Sequence, residues 1–153
     1  VGIDALAAAL VGVPAGLRRL QDGKAAGIGS AVAALDLAHG ALPLAAPVAG
    51  GALRLNAAAE RAPRLVVEDP YGEGWLFELR GPSAPTPGLL ESSAALQQSR
   101  LDLRYFGRQA ALGLLAGLDD VGTTLADGGE PLTDLRRMLG PQGYLALVRE
   151  LVH

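Results

Sequence analysis

The first eighty residues alternate short apolar runs with glycine and proline, a pattern typical of a sheet domain with frequent turns. The runs that predict strands cover residues 12–17, 25–37, 41–46, 51–56 and 74–80. Asp4 is a candidate N-cap for a helix over residues 5–10. Asn56 is a candidate N-cap for residues 57–61, and Pro63 ends that helix. The alanine-rich second run keeps a helical alternative, because alanine favours helix over strand.

A turn and a further strand close this region. Asp69 and Pro70, followed by Gly72 and Gly74, have the composition of a turn that leads into an alternating apolar stretch. Successive side chains of a strand point to opposite faces. The stretch therefore predicts one face with Trp75, Phe77 and Leu79, and the other with Leu76 and Glu78. We expect the two aromatic side chains in the core rather than in a ligand platform.

Beyond residue 80 the apolar spacing changes from strand to helix. Residues 81–88 contain three prolines and predict a linker, since proline fits neither a helix interior nor a central strand. Residues 89–129 predict a helical region that breaks at 127–129, and residues 130–153 a C-terminal helical segment that Gly140 and Pro141 interrupt. The apolar stripe predicted for the first of these helices comprises Leu96, Leu103, Phe106, Ala110, Leu114 and Leu118.

Three arginines, Arg100, Arg104 and Arg108, are spaced four apart on another face of the same helix. Charge at this spacing usually forms a solvated face. The alternative is an acidic partner, because guanidinium groups pair bidentately with carboxylates. Three leucines outside the main stripe favour a second buried face: Leu101, Leu112 and Leu115. The arginines are therefore candidate partner-contact residues.

Composition excludes several classes of protein. The chain has 153 residues, of which 50% are hydrophobic and 19% charged, which suits one globular domain. A net charge of -3 gives no electrostatic reason to expect nucleic acid. Without cysteine there is no disulfide framework, thiolate metal site or cysteine nucleophile. The apolar stretch 110–118 is about half the length that a helix needs to cross a bilayer, so we predict a cytoplasmic protein without membrane insertion.

The nine residues 69–77, Asp-Pro-Tyr-Gly-Glu-Gly-Trp-Leu-Phe, resemble a signature of the H protein of the glycine cleavage system. Residues 1–3, 47–50 and 55–56 are similar to further parts of that family, and residues 132–151 to its C-terminal helical segment. The resemblance implies an α+β fold of the lipoyl type, a barrel-sandwich hybrid of two small antiparallel sheets over residues 1–80. Residues from about 82 to 129 would be a helical insertion. The family's first strands would precede Val1, so we expect N-terminal strands to be missing from this chain.

The H-protein family carries lipoate on a lysine in a Glu-Ser-Val-Lys-Ala hairpin turn. Counted back from Gly50, those positions correspond to Asp-Leu-Ala-His-Gly at 36–40, so His39 takes the place of the lysine, next to Asp36 and Gly40. Lipoylation forms an amide on a primary amine, which imidazole does not offer. The resemblance therefore implies no lipoate cofactor here, and His39 becomes a candidate partner-contact residue.

The remaining candidates are weaker. Lys24, the single lysine, is expected to be a solvated surface residue. His39 can also be interpreted as an exposed turn histidine without a specific role. His153 gives His39 no second ligand at a recognisable spacing, so no metal site is predicted. The chain also has a cluster of acidic residues, which is more typical of helix caps and solvated turns than of a catalytic or metal site: Asp119, Asp120, Asp127 and Glu130. No nucleophile–base pair, phosphate loop or dinucleotide fingerprint is present, so we predict no catalytic residues and no enzyme.

Two hypotheses follow. The first is a non-lipoylated, H-protein-like interaction or scaffold subunit that docks on protein partners in a hetero-oligomeric complex and uses the inserted helices as a second contact surface. The second is a carrier or enzyme that holds a group on His39 in place of the lysine, since histidine can act as a nucleophile.

Overall fold

The structure is a computed structural model that describes residues 1–21, 25–81, 90–116 and 135–151. Its elements follow the chain in this order: α1 (Ala5–Val11), β1 (Gly16–Arg19), β2 (Ala31–Leu37), β3 (Gly40–Ala45), β4 (Gly51–Leu55), α2 (Ala57–Arg61), α3 (Leu65–Glu68), β5 (Phe77–Arg80), α4 (Ser92–Ala116) and α5 (Leu135–Leu151). The predicted change from strands to long helices after residue 80 is therefore present in the described residues.

One antiparallel sheet has the strand order β1-β2-β3. The helical alternative for the alanine-rich run is wrong, because β2 is paired on both edges and four consecutive side chains from Val32 are buried. Pairing and burial thus outweigh alanine's helix propensity. The strand also begins later than predicted, since residues 27–30 form a turn in which the Ser30 N–H donates to the Gly27 carbonyl over 3.1 Å. Strand β1 begins only at Gly16, because Gly12, at φ 68°, caps α1.

The second sheet pairs β4 with β5, and an isolated bridge between Ala26 and Gly50 links the segments that lead into the two sheets. The predicted alternation over residues 75–80 fails at Leu76, which is as deeply buried as Phe77. The reason is that β5 begins only at Phe77, so the chain before it does not follow the period of a strand.

Both predicted helix caps are confirmed. The Asp4 carboxylate accepts a hydrogen bond from the Ala7 N–H over 2.7 Å at the start of α1. The Asn56 side-chain oxygen accepts one from the Ala58 N–H over 2.9 Å at the start of α2. Each side chain thereby satisfies one N–H group that the first helical turn leaves unpaired.

The two long helices pack on each other through a small cluster of Phe106, Ala110 and Leu147. The predicted stripe on α4 is wrong at Leu96 and Leu103, whose exposed fractions are 67% and 55%. The predicted interruption of α5 is confirmed, since Gly140 has non-helical angles (φ 67°, ψ 166°) directly before Pro141. Of the predicted linker at 81–88 only Gly81 is described; residues 82–88, the break at 127–129 and the helix start at 130 lie outside the described residues.

The main core contains side chains of both sheets. Leu35 and Leu42 of the first sheet, Leu55 and Phe77 of the second, and Val148 of α5 belong to one cluster of buried residues. Burial of this kind is the principal force that holds a small sandwich together. None of the helices in the described parts of the chain combines the length and the apolar character that crossing a bilayer requires.

Candidate functional site

The candidate site is the turn between β2 and β3. Leu37 pairs with Gly40, so Ala38 and His39 form a two-residue hairpin turn, and both are exposed. Asp36 lies at the base of this turn, where its carboxylate forms an ion pair of 2.9 Å with the Arg18 guanidinium on β1. The structure thus brings together three of the predicted site residues, Asp36, His39 and Gly40, at one end of the hairpin.

Helix α5 holds this hairpin from one side. The Arg149 guanidinium donates a hydrogen bond of 2.8 Å to the Ala41 carbonyl. At Gly40 a Cβ atom would lie 2.7 Å from Leu145 Cδ2, and the backbone has φ 148°, a region that favours glycine. Gly40 therefore allows both the backbone geometry of the hairpin and the close approach of the helix. The sequence contains a signal for this contact, since residues 141, 144, 145 and 148 share one helix face, but its partner could not be read from the sequence.

An open cleft of about 390 Å³ lies between α1, the hairpin turn and α5. Its lining is mainly aliphatic: Leu10, Val11, Val13, Leu37, Ala38, His39, Pro141, Tyr144, Leu145 and Val148. Tyr144 crosses from α5 to α1, where its hydroxyl donates a hydrogen bond of 2.7 Å to the Leu10 carbonyl. His39 is the one member of the lining that carries a titratable nitrogen.

Lipoate, the cofactor of the family that the sequence resembles, does not fit the chemistry of this turn. Its attachment needs a primary amine, and the turn offers a methyl group at Ala38 and an imidazole at His39. Lys24, the single lysine of the chain, lies outside the described residues. Within the part that the structure describes, no group of three His, Asp or Glu side chains is arranged to hold a metal ion. His153 and the acidic residues at 119, 120, 127 and 130 also lie outside it.

The arginine candidates lie on α4, apart from the hairpin. Arg100, Arg104 and Arg108 are exposed, and none has a hydrogen bond or ion pair with another described residue. At 100° per residue, Arg108 is about opposite Phe106 and Ala110, the side of α4 that packs on α5. Leu101 and Leu112 flank Arg108 on that outer side and are 55% and 49% exposed. The outer side of α4 thus combines positive charge with uncovered apolar surface.

The turn over residues 69–75 is held by hydrogen bonds from Asn56 and by close backbone contacts at Gly74. The buried Asn56 amide donates to the Glu73 carbonyl (2.8 Å) and the Trp75 carbonyl (2.7 Å), a second role beyond its cap that sequence reasoning missed. Gly74 is required because a Cβ there would collide with the carbonyl oxygens of Leu65 and Asp69. Phe77 is fully buried as expected, whereas Trp75 is only half-buried, with the Arg54 guanidinium 5.2 Å from its ring centroid.

Comparison with known proteins identifies the origin of this scaffold. A family model described as "Glycine cleavage H-protein" matches residues 1–99. The chain is 48% identical over 52 residues to a glycine cleavage system H protein of Thermus thermophilus, in a match that covers 34% of this chain and 41% of that protein. It is 32% identical over 93 residues to the H protein of Alteromonas mediterranea, covering 60% and 72%. The chain thus spans less than half the length of the Thermus relative.

A solved structure of a glycine cleavage system H protein from Mycobacterium marinum superposes with a TM-score of 0.55 at 28% sequence identity. The superposition covers 64% of this chain and 76% of that one. It confirms the predicted fold class, α+β with two small antiparallel sheets of the lipoyl type and added helices. The family match ends inside α4, so the resemblance of residues 132–151 to the family's C-terminal helix stays a prediction. On the family match and the fold, the chain belongs to the glycine cleavage H-protein family.

Proposed function

We propose that this chain is a non-lipoylated member of its family that docks on protein partners within a hetero-oligomeric complex in the cytoplasm, without catalysis of its own. The observation that carries the proposal is the β2–β3 hairpin, which keeps an exposed two-residue turn but offers no amine there. The relatives are named as components of a glycine cleavage system, which supports protein partners as the setting.

The rigidity of the hairpin supports a docking role. Its base is held by the Arg18–Asp36 ion pair and its side by the hydrogen bond from Arg149 to the Ala41 carbonyl. A turn that is already ordered loses little conformational entropy when a partner binds. His39 at the tip contributes an aromatic ring with hydrogen-bonding nitrogens, which suits a contact residue.

The outer side of α4 supplies the second contact surface. Its arginines have no acidic partner among the described residues, and Leu101 and Leu112 stay exposed beside them. Apolar side chains bordered by arginine are typical of protein interfaces. We expect the matching surface of the partner to carry carboxylates.

Site-specific photo-crosslinking tests this proposal in native cells. A photoreactive residue at Ala38 and another at Leu112 should each capture a protein, while one at Ile28, which is 68% exposed and belongs to neither surface, should not. Intact mass should show the captured chain unmodified. With the partner identified, Arg104→Glu should weaken binding about tenfold, because it places a carboxylate against an acidic surface. Arg19→Glu on β1 is the matched charge control.

A monomeric chain of unmodified mass that captures no protein from Ala38 or Leu112 would contradict the docking function. Equal effects of Arg104→Glu and Arg19→Glu would contradict the role of α4 while leaving the hairpin contact intact.

The second candidate is a carrier or enzyme that uses His39. The exposed position of the imidazole at the turn, on the edge of an apolar cleft, favours it. Peptide mapping of natively purified protein should then find a covalent adduct on His39, and His39→Ala should abolish function. An unmodified His39, together with function that survives His39→Ala, eliminates this candidate.

A further inference from the structure

We infer that the outer side of α4 receives an acidic amphipathic helix of the partner protein, one that carries a row of carboxylates four residues apart. The docking function proposed above is the premise, and the chemistry of the partner is what α4 adds to it. The row that would meet these carboxylates consists of Arg100, Arg104 and Arg108, which are exposed and have no hydrogen bond or ion pair with another described residue.

This arginine row has apolar surface on both flanks. At about 100° per residue, Leu101 and Leu112 lie roughly 60–80° to one side of Arg104. Leu96 lies roughly 80° to the other side, next to Arg100. The three leucines are between 49% and 67% exposed. The outer side of α4 is therefore a ridge of positive charge between uncovered apolar borders.

The order of charge and apolar surface favours a protein partner over a membrane. A helix that lies on a bilayer turns the centre of its apolar face towards the acyl chains, and its basic side chains stand at the borders, where they reach the headgroups. On α4 the order is reversed, with arginines in the centre and leucines at the borders. Insertion of this side would take the guanidinium groups out of water without an acid to pair them.

Two other occupants fit the surface less well. Nucleic acid would pair with the guanidinium groups but leave the leucines uncovered, and the net charge of -3 opposes its approach. A second copy that packs α4 on α4 about its centre would place Arg100 of one copy beside Arg108 of the other, and like charges at an interface are unfavourable. An acidic protein surface matches both the charge and the apolar borders.

The spacing of the arginines matches the side-chain rows of a second helix. Successive arginines are four residues apart, which is about 6 Å along the axis of α4. Carboxylates four residues apart on another helix have the same repeat. When two helices pack through such rows, the rows run side by side at a crossing angle of about −50°. Each carboxylate can then pair with one guanidinium, and apolar side chains beside the acidic row can cover Leu101 and Leu112.

Binding of synthetic helical peptides to the full chain tests this chemistry. The first peptide carries glutamates at positions i, i+4 and i+8 with leucines beside the row, the second carries glutamines at those positions, and the third has the composition of the first in scrambled order. In fluorescence anisotropy the glutamate peptide should bind about tenfold more tightly than either of the others, because it alone forms the row of ion pairs. The amide chemical shifts that it changes should lie within residues 96–112.

A charge-reversal cycle isolates the pairing. Arg104→Glu should weaken binding of the glutamate peptide about tenfold, and a lysine in place of the peptide's central glutamate should restore it. Leu112→Ser should weaken both the glutamate and the glutamine peptide, because it removes an apolar contact that they share. Arg19→Glu changes an exposed arginine of β1 and should leave the affinity of both peptides unchanged. All three substituted side chains are exposed, so the variants should keep the fold, which their spectra would show directly.

Equal affinity of the three peptides, or chemical shifts that map outside residues 96–112, would overturn the inference. Tighter binding to phosphatidylglycerol vesicles or to a single-stranded oligonucleotide than to the glutamate peptide would also overturn it. A dimer in sedimentation that Leu112→Ser dissociates would assign the surface to a second copy instead. Capture of a protein at Leu112 in cells, together with failure of the peptides, would reject the acidic helix and leave the docking function in place.

Discussion

The sandwich and the α4–α5 pair differ in how much apolar surface they bury for their length. Among the described residues, the sandwich cluster contains fifteen buried side chains, whereas the cluster at α4 contains three. The sandwich therefore has a core that can stabilise it, and the 25-residue α4 is attached through a narrow contact. Most of the described side chains of α4 stay exposed, which is what the proposed second contact surface requires.

The largest expected effect on stability distinguishes the core of the sandwich from the small cluster at α4. Phe77→Ala should lower the free energy of unfolding by about 3–5 kcal/mol, since the ring is fully buried between the sheets. Phe106→Ala should leave the sandwich nearly unchanged and loosen α4 alone. Urea denaturation followed by the fluorescence of Trp75, the single tryptophan, reports on the sandwich, and hydrogen exchange of the α4 amides on the helix.

If Phe106→Ala shifts the Trp75 transition as far as Phe77→Ala does, the two regions form one cooperative unit. In that case the description of α4 as a separately attached surface is wrong.

The same contrast shows what could be predicted from the sequence. In the sandwich, local chemistry defined the elements: Asp4 and Asn56 cap their helices, and the turn over residues 69–74 precedes β5. The predictions for the sandwich failed where the structure of a residue depends on contacts with distant parts of the chain. Both edges of β2 are paired, which overrides alanine's preference, and Leu76 is buried although it precedes the strand.

On α4 the helical period predicted a helix but not which face is covered. Leu96 and Leu103 fit an apolar stripe as well as Phe106 does, yet only the latter meets α5. An amphipathic pattern indicates that a face can be buried and leaves open whether the chain itself covers it. At the candidate site, the turn residues 36–40 could be aligned from the sequence, whereas the approach of Leu145 and Arg149 depends on a contact across more than 100 positions.

An intermediate effect on stability tests whether α5 packs on the sandwich. Gly40→Ala should destabilise the protein by about 1–3 kcal/mol, because it combines an unfavourable φ with a contact on Leu145. Gly29→Ala is the matched control: its φ is 77°, but nothing lies near the added Cβ, so only backbone strain of about 1 kcal/mol is expected. Both are measured by urea denaturation.

A double-mutant cycle then isolates the contact between the helix and the hairpin. Leu145→Ala should be less costly in the Gly40→Ala background than alone, because the collision has been relieved. Strict additivity of the two substitutions would mean that α5 does not contact the turn at Leu145, and the close packing of α5 on the hairpin would be contradicted.

The smallest effect concerns the outer contact between α4 and α5, where the Tyr105 hydroxyl donates a hydrogen bond of 2.6 Å to the Glu150 carboxylate. This hydrogen bond, with a smaller contribution from burial, raises the pKa of Tyr105 above its ordinary value of 10.0. A raised pKa means that the folded state binds the phenol proton more tightly than the unfolded state. The stabilisation is therefore fully present below pH 10 and is lost as the pH rises through the folded-state pKa.

Phenolate absorbance gives the measurement, with Tyr105→Phe subtracted from the unmodified chain to isolate this group from the other two tyrosines. Glu150→Gln should return the Tyr105 pKa towards 10.0, since it removes the charged acceptor. The stability advantage of the unmodified chain over Tyr105→Phe should shrink above pH 10. Because Tyr105→Phe keeps the ring, equal stability of the two chains below pH 10 would show that ring packing, rather than the hydrogen bond, joins the helices at this point. The described contact between α4 and α5 would then rest on apolar packing. The two regions would differ only in the number of side chains that they bury.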